Sequence, residues 1–167
     1  MKLKDLLLRN RVTLLTRWFE EALRAYPADA QNFFREKMNR FGNPVGSMIG
    51  ESLEGLYGEL LRGWKEEEIF PFLDPLIRMR AVQQLLPSQA LSFIPSLKKI
   101  VRIELAQEMQ RHHLLGEFQD FAAEVDRLTL LSFDLYMGCR EKVHEIKIKE
   151  LKGSSEKIWK KIEKIYG

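Results

Sequence analysis

Hydrophobic residues recur along this chain at spacings of three and four, which is the period of a helix with one buried face. The pattern is clear from Leu3 to about Ala25, from about Gly46 to Arg62, and from about Ser96 almost to the C-terminus. No stretch alternates apolar and polar residues for long enough to predict a strand. The pattern therefore predicts an all-α protein, a compact helical bundle that ends in a long C-terminal exit helix.

Prolines and short polar residues predict where these helices begin and end. Tyr26-Pro27 should end the first helix, because the residue before a proline avoids helical backbone angles. Asp29 is then a candidate N-cap for the second helix. Asp74-Pro75 predicts the start of a later helix, separated from the preceding one by an acidic connector, since proline is well tolerated at the first helical position.

Three glycines fall inside the predicted helix 46–62. Gly50, Gly55 and Gly58 each cost up to about 1 kcal/mol relative to alanine in a helix interior. Two explanations are open: another helix approaches closely, or a ligand needs the same space. The turn before this helix contains Asn43, which we expect there because asparagine tolerates a positive φ.

The hydrophobic period changes after Cys139. Apolar residues of the tail fall on the a and d positions of a heptad, a seam that prefers another helix to a globular core, although Gly153 interrupts it. The pattern divides the chain into a helical domain over 1–138 and a charged helix over 139–167. A solvated helix that packs once on the body is the alternative. The candidate interaction residues are Ile148, Leu151, Ile158, Ile162 and Ile165.

Charge and composition narrow the class of protein. The chain is 45% hydrophobic and carries a net charge of +3, without a long apolar run or a signal-peptide core. This predicts a cytoplasmic protein without a membrane span. Residues 139–167 hold nine Lys/Arg and five Glu, whereas 1–138 hold 18 basic and 19 acidic residues. The body therefore lacks the basic excess of a nucleic-acid-binding domain, and a tail that binds nucleic acid or a membrane surface is the less favoured alternative.

Few residues are suited to metal or redox chemistry. The single cysteine, Cys139, excludes an internal disulfide and a cysteine-based zinc site. Glu141-x-x-His144 has the spacing of a di-iron ligand pair, but such a site needs that motif twice and two further glutamates. His112, His113 or His144 could supply one axial haem ligand, so haem stays an alternative. With no catalytic or phosphate-loop motif, the sequence predicts no enzyme, no metal and no cofactor.

One polar cluster could bind an anion. It combines cations with a serine that can cap the following helix, whose free N–H groups also attract anions. The structural alternative is that these groups connect helix ends through buried hydrogen bonds. The candidate ligand-binding residues are Arg78, Arg80, Gln83, Ser88, Gln89, Lys98 and Arg102.

Several short blocks, in order, resemble one known family over about residues 3–150. The chain resembles the N-terminal domain of the RsbRD-type RsbT co-antagonists, a bacterial signalling family. The blocks are Arg17-Trp18, Tyr26-Pro27, Arg40-Phe41-x-Asn43-Pro44-Val45-Gly46, Arg78-x-Arg80-Ala81-Val82-Gln83, Pro87-Ser88-Gln89-Ala90, Leu97-Lys98 and Arg102.

The resemblance implies a function. Members carry this helical domain as a stress-response input module ahead of a STAS domain in stressosome proteins, or ahead of other signalling outputs. Related input domains are globin-like without haem, which implies that fold by analogy only. The chain looks like a stand-alone form, because no STAS or kinase domain follows. We therefore expect a non-enzymatic signalling or protein-interaction module that binds a protein partner or a second copy through its C-terminal helix. A sensor of an anionic ligand or haem is the alternative.

Overall fold

A computed structural model describes residues 1–36, 41–83 and 85–166 of the chain, without the side chain of Tyr166. These residues form nine helices and no strand, so the predicted all-α bundle is confirmed for the described part of the chain. Arg40, one of the residues that carry the resemblance, lies outside the described residues. The helices are α1 (Leu3–Arg9), α2 (Arg11–Leu23), α3 (Ala28–Arg35), α4 (Pro44–Arg62), α5 (Glu66–Val82), α6 (Pro87–Leu91), α7 (Phe93–Glu104), α8 (Ala106–Arg111) and α9 (Leu115–Tyr166).

The core lies between α2, α4, α5, α7 and the first half of α9. Helix α5 packs against α4 and α9, and α2 packs against α4 and α7. Two buried aromatic side chains also make long-range hydrogen bonds: the indole N–H of Trp18 donates to the Phe93 carbonyl over 2.7 Å, and the Tyr57 hydroxyl donates to the Leu7 carbonyl over 2.8 Å. These bonds satisfy polar atoms that burial removes from water, and they fix α2 to α7 and α4 to α1.

Helix α5 corrects the prediction of a separate helix at Asp74-Pro75. It runs without a break through Pro71 and Pro75, each of which lacks a backbone N–H and removes one intrahelical bond. Both prolines are exposed, and they lie four residues apart on one side of the helix. The opposite side buries Leu73 and Ile77 in the core. The helix persists because apolar packing outweighs two missing bonds on its solvent side.

Two local predictions, the Asp29 cap and the positive φ of Asn43, were also wrong. The N-cap of α3 is Pro27, so Asp29 lies within the first turn of α3. Asn43 has a φ of −140° rather than a positive one, and acts as the N-cap of α4: its Oδ1 accepts from the Gly46 N–H over 3.0 Å. Its Nδ2 donates to the Phe34 and Glu36 carbonyls. A buried asparagine thus joins the end of α3 to the start of α4.

The long exit helix is confirmed. Helix α9 begins at Leu115, after a break at His112–Leu114 in which His113 takes a φ of 55°. It continues through Gly138 and Gly153 to Tyr166. Its first half buries Phe121, Val125 and Leu128 in the core. The proposed boundary between 138 and 139 therefore falls inside one helix, and stays a prediction.

Candidate functional site

The predicted cationic cluster is divided between surface and core. Arg78 and Arg80 are two residues apart on α5, so they project from different sides of the helix. Arg78 is exposed, and its Nε donates to Asp74 Oδ2 over 2.7 Å, which raises the pKa of Arg78. Arg80 has no solvent-accessible surface. Of these two arginines, only Arg80 is buried, as a ligand site in the core would require.

The other predicted residues are also spread over the surface. Gln89, on α6, accepts from the Leu86 backbone N–H over 3.1 Å, and its neighbour Ser88 is exposed. Lys98 forms an ion pair with Asp126. Arg102 is exposed and lines a cavity of about 400 Å³ that includes none of the other six candidates. The described contact of Gln89 thus belongs to the start of α6, and that of Lys98 is an ion pair with Asp126.

The buried residue of the set forms what we call the Arg80 centre: Arg80, the rings of Tyr26 and Phe93, and the Ala22 carbonyl. The Arg80 Nη2 donates to that carbonyl. Its Cζ lies 4.9 Å from the Tyr26 ring centroid and 5.2 Å from the Phe93 ring centroid, distances typical of cation–π contacts. Helix α2 with the residues after it, and helix α7, therefore meet around the guanidinium of a residue on α5.

The Arg80 centre contains an incompletely satisfied cation. The Nε and Nη1 atoms of Arg80 are buried without a hydrogen-bond partner, and no carboxylate of the described residues forms an ion pair with Arg80. Burial lowers the pKa of its guanidinium, because it penalises the charged form. The Oε1 of Gln83, three residues further along, is also buried without a partner. Buried unpaired polar atoms are costly in a folded protein, and they are concentrated here.

Sequence reasoning missed the aromatic partners of Arg80. Tyr26 carries a local signal for a helix end and belongs to one of the family blocks, and Phe93 carries no signal beyond being apolar. The two lie 67 positions apart in the chain. Only the packing of α2 against α7 brings them to the same guanidinium.

Two side chains of α9 donate hydrogen bonds to the end of α5 and to the segment that follows it, next to the Arg80 centre. The Tyr136 hydroxyl donates to the Leu85 carbonyl over 2.6 Å, and the Arg140 Nη1 donates to the Ala81 carbonyl over 2.9 Å. The last carbonyls of a helix have no intrahelical N–H donor, so Arg140 supplies one to Ala81 in the last turn of α5. Tyr136 contacts the segment that follows α5. Adjacent residues of α5, Arg80 and Ala81, thus contact α2 on one side and α9 on the other. We call this contact region the α5–α9 junction.

Beyond the α5–α9 junction, α9 exposes its apolar side chains. Leu151 is 71% exposed, and the other four predicted interaction residues are 40% to 73% exposed. The exposed stripe also extends back onto the body: Leu130 and Met137 precede Leu151 by three and two whole heptads, and they are 69% and 38% exposed. Sequence reasoning missed these two because they lie among core positions of the same helix.

The histidines lie outside the core. His112 is half-buried, and His113 and His144 are exposed. Within the described ranges, no three His, Cys, Asp or Glu side chains are grouped as a metal site would need. None of the helices in the described ranges combines the length and the apolar character needed to cross a membrane.

Comparison with known proteins gives one match. The model of the RsbT co-antagonist protein rsbRD N-terminal domain family matches residues 12–151. This range includes the Arg80 centre, the α5–α9 junction and the first part of the exposed stripe. No curated protein and no solved structure matches the chain.

Proposed function

Because this chain belongs to the RsbRD N-terminal domain family, we propose that it is a non-enzymatic signalling module whose C-terminal helix pairs with a second copy. The family is one of stressosome-associated signalling input domains and is not a known enzyme family. We further propose that the module acts in the bacterial cytoplasm. In this proposal residues 1–138 receive the signal and residues 139–167 transmit it.

The exposed stripe on α9 carries the proposal. Residues 148–165 alone cover under three heptads, about 27 Å of helix, which is marginal for a coiled coil. Adding Leu130 and Met137 in the same register lengthens the stripe to about 54 Å. Isolated exposed apolar residues are ordinary, but exposed apolar residues that recur at the heptad spacing are typical of an interaction surface.

We propose that two parallel copies pair along this seam. Ile148 and Ile162 occupy a positions, and the d positions hold Leu151, Ile158 and Ile165. Leucine at d favours two strands beside isoleucine at a, whereas isoleucine at d favours three or four, so the number of copies is an outcome of the sedimentation test below. A two-fold axis along the helices lets each seam residue meet its own counterpart, so one surface serves both copies. Glu141 and His144 fall on the same seam and interrupt its apolar character.

Sedimentation of the full-length chain tests the pairing. We expect wild-type protein to sediment as a dimer and a Leu151→Asp/Ile158→Asp variant to sediment as a monomer. Burial of two such side chains contributes about 3 kcal/mol or more, so the dissociation constant should rise at least roughly a hundredfold. Lys157→Asp is the matched control, because it changes charge on the same exposed helix but lies off the seam. A wild-type monomer, or a dimer in the double variant, would refute pairing.

Cross-linking tests the direction of the two helices. Ser155 lies at an a position, so Ser155→Cys in a Cys139→Ser background should form a disulfide between parallel, in-register copies. Lys157→Cys in the same background should not, because position 157 faces away from the seam. Equal cross-linking at 155 and 157 would contradict parallel pairing.

A small-molecule sensor is a second candidate function. The observation that favours it is the buried, incompletely paired guanidinium of Arg80. The ligand would be an anion, and the α5–α9 junction gives it a short connection to the exit helix. The haem form of this candidate has no such observation in its favour, because the three histidines are half-buried or exposed.

A further inference from the structure

Arg80 holds a positive charge in the core without a counter-ion. It uses one described hydrogen bond, to Ala22, although a guanidinium has five N–H groups. The rings of Tyr26 and Phe93 stabilise the cation partly, but they cannot accept the in-plane hydrogen bonds of Nε and Nη1. Buried charges in proteins are normally paired with an opposite charge. The missing component is therefore an anion.

The surroundings select the type of anion. A guanidinium presents parallel N–H groups that fit both oxygens of a carboxylate. One carboxylate also neutralises the single positive charge, whereas a phosphate near −2 would leave a net negative charge among apolar groups. The neighbouring side chains are aromatic, and they suit a ligand with a short apolar body.

Tyr26 is the partly exposed residue of the Arg80 centre. Tyr26 is half-buried and leads into α3, a helix without a fully buried residue. The described contact of the Tyr26 hydroxyl is a weak one, 3.9 Å to the sulfur of Met79. The ring also packs edge to face on Phe34, with centroids 5.1 Å apart, so a ligand that reaches the guanidinium must move Tyr26 away from this contact as well. Gln83 lies one turn away, and rotating its amide presents Nε2 as a further donor.

We propose that the Arg80 centre binds the carboxylate of a small monocarboxylic acid beneath the Tyr26 ring. The carboxylate oxygens accept from Arg80, and the apolar body of the acid packs against Phe93. The next residue, Ala81, accepts from Arg140, so the bound acid adjusts the α5–α9 junction. This last step rests on the proposed signalling function, whereas the binding itself does not.

Titration of the full-length chain tests the binding, with benzoate and acetate as probes and chloride at equal ionic strength as reference. We expect benzoate to bind saturably and to raise the melting temperature above the chloride reference. Arg80→Met keeps the side-chain length and removes the donors, so benzoate binding should weaken about tenfold or more. Arg78→Met, two residues away on the exposed side, should bind benzoate like wild type.

A second measurement needs no substitution. The Arg80 Nε–H signal in the NMR spectrum of wild-type protein should shift as benzoate saturates, while the Arg78 Nε–H signal should not. This result decides the question if Arg80→Met does not fold. The Leu151→Asp/Ile158→Asp variant should bind benzoate unchanged, which separates this proposal from the pairing of α9.

Three outcomes would overturn the proposal. The first is a benzoate effect no larger than that of chloride, together with an unmoved Arg80 signal. The second is benzoate binding that persists in Arg80→Met. The third is binding of inorganic phosphate in preference to both carboxylates, which would contradict the charge argument.

Discussion

Replacing Gly55 with alanine tests how closely α4 and α5 pack. A Cβ built on Gly55 would lie 2.1 Å from Cδ1 and 2.4 Å from Cγ of Phe72, a residue of α5. The same addition at Gly50 or Gly58, on the same helix, meets nothing within 4 Å. These two positions are matched controls, because they share the substitution and the helix but not the neighbouring ring.

The magnitudes follow from two opposing effects. Alanine is favoured over glycine in a helix interior by roughly 1 kcal/mol, at all three positions. Inserting a methyl group into a packed contact costs about 1–3 kcal/mol, and a clash at Cγ forces the whole Phe72 ring to move. We therefore expect Gly50→Ala and Gly58→Ala to raise the free energy of unfolding by about 0.5–1 kcal/mol. Gly55→Ala should instead lower it by up to about 2 kcal/mol.

Urea denaturation followed by circular dichroism measures the difference. All variants are compared at one protein concentration, because the proposed pairing of α9 would make stability concentration-dependent. In thermal melts each 1 kcal/mol corresponds to roughly 2–4 °C at this chain length. If Gly55→Ala proves as stable as the two controls, the Phe72 ring yields without cost and the close contact between α4 and α5 is not what requires glycine.

Two further predictions concern buried hydrogen bonds. Burial raises the pKa of Tyr57 above its ordinary value, so the folded state favours the neutral phenol. The stability advantage of wild type over Tyr57→Phe should therefore hold below about pH 10. At higher pH it should fall by up to about 1.4 kcal/mol per pH unit. Urea midpoints between pH 8 and 11 measure it, and a constant difference would contradict the assignment. Asn43→Ala should lower the free energy of unfolding by about 2–3 kcal/mol. Asn43→Ser should recover about 1 kcal/mol of this loss, because serine keeps an acceptor for the Gly46 N–H. Equal loss in both variants would show that the cap is unimportant.

The sequence alone determined the fold class and the exit helix. Spacings of three and four residues predict a helix with one buried face, and the heptad after Cys139 predicts a seam suited to another helix. Both signals are local, because they depend only on residues within two or three turns. The same local reasoning fixed the family, since its blocks are short stretches of contiguous sequence.

Tertiary structure decided the features that depend on distant neighbours. Proline at 75 predicts a helix start by local rules, but packing of α5 against α4 and α9 keeps the helix continuous. Close approach explains Gly55 but is wrong for Gly50 and Gly58, because only Gly55 faces the Phe72 ring. Arg78 and Arg80 look equivalent in the sequence. Only the packing of Tyr26, Phe93 and the Ala22 carbonyl around α5 makes one a surface ion pair and the other a buried cation, because burial is set by what the rest of the chain places around a side chain.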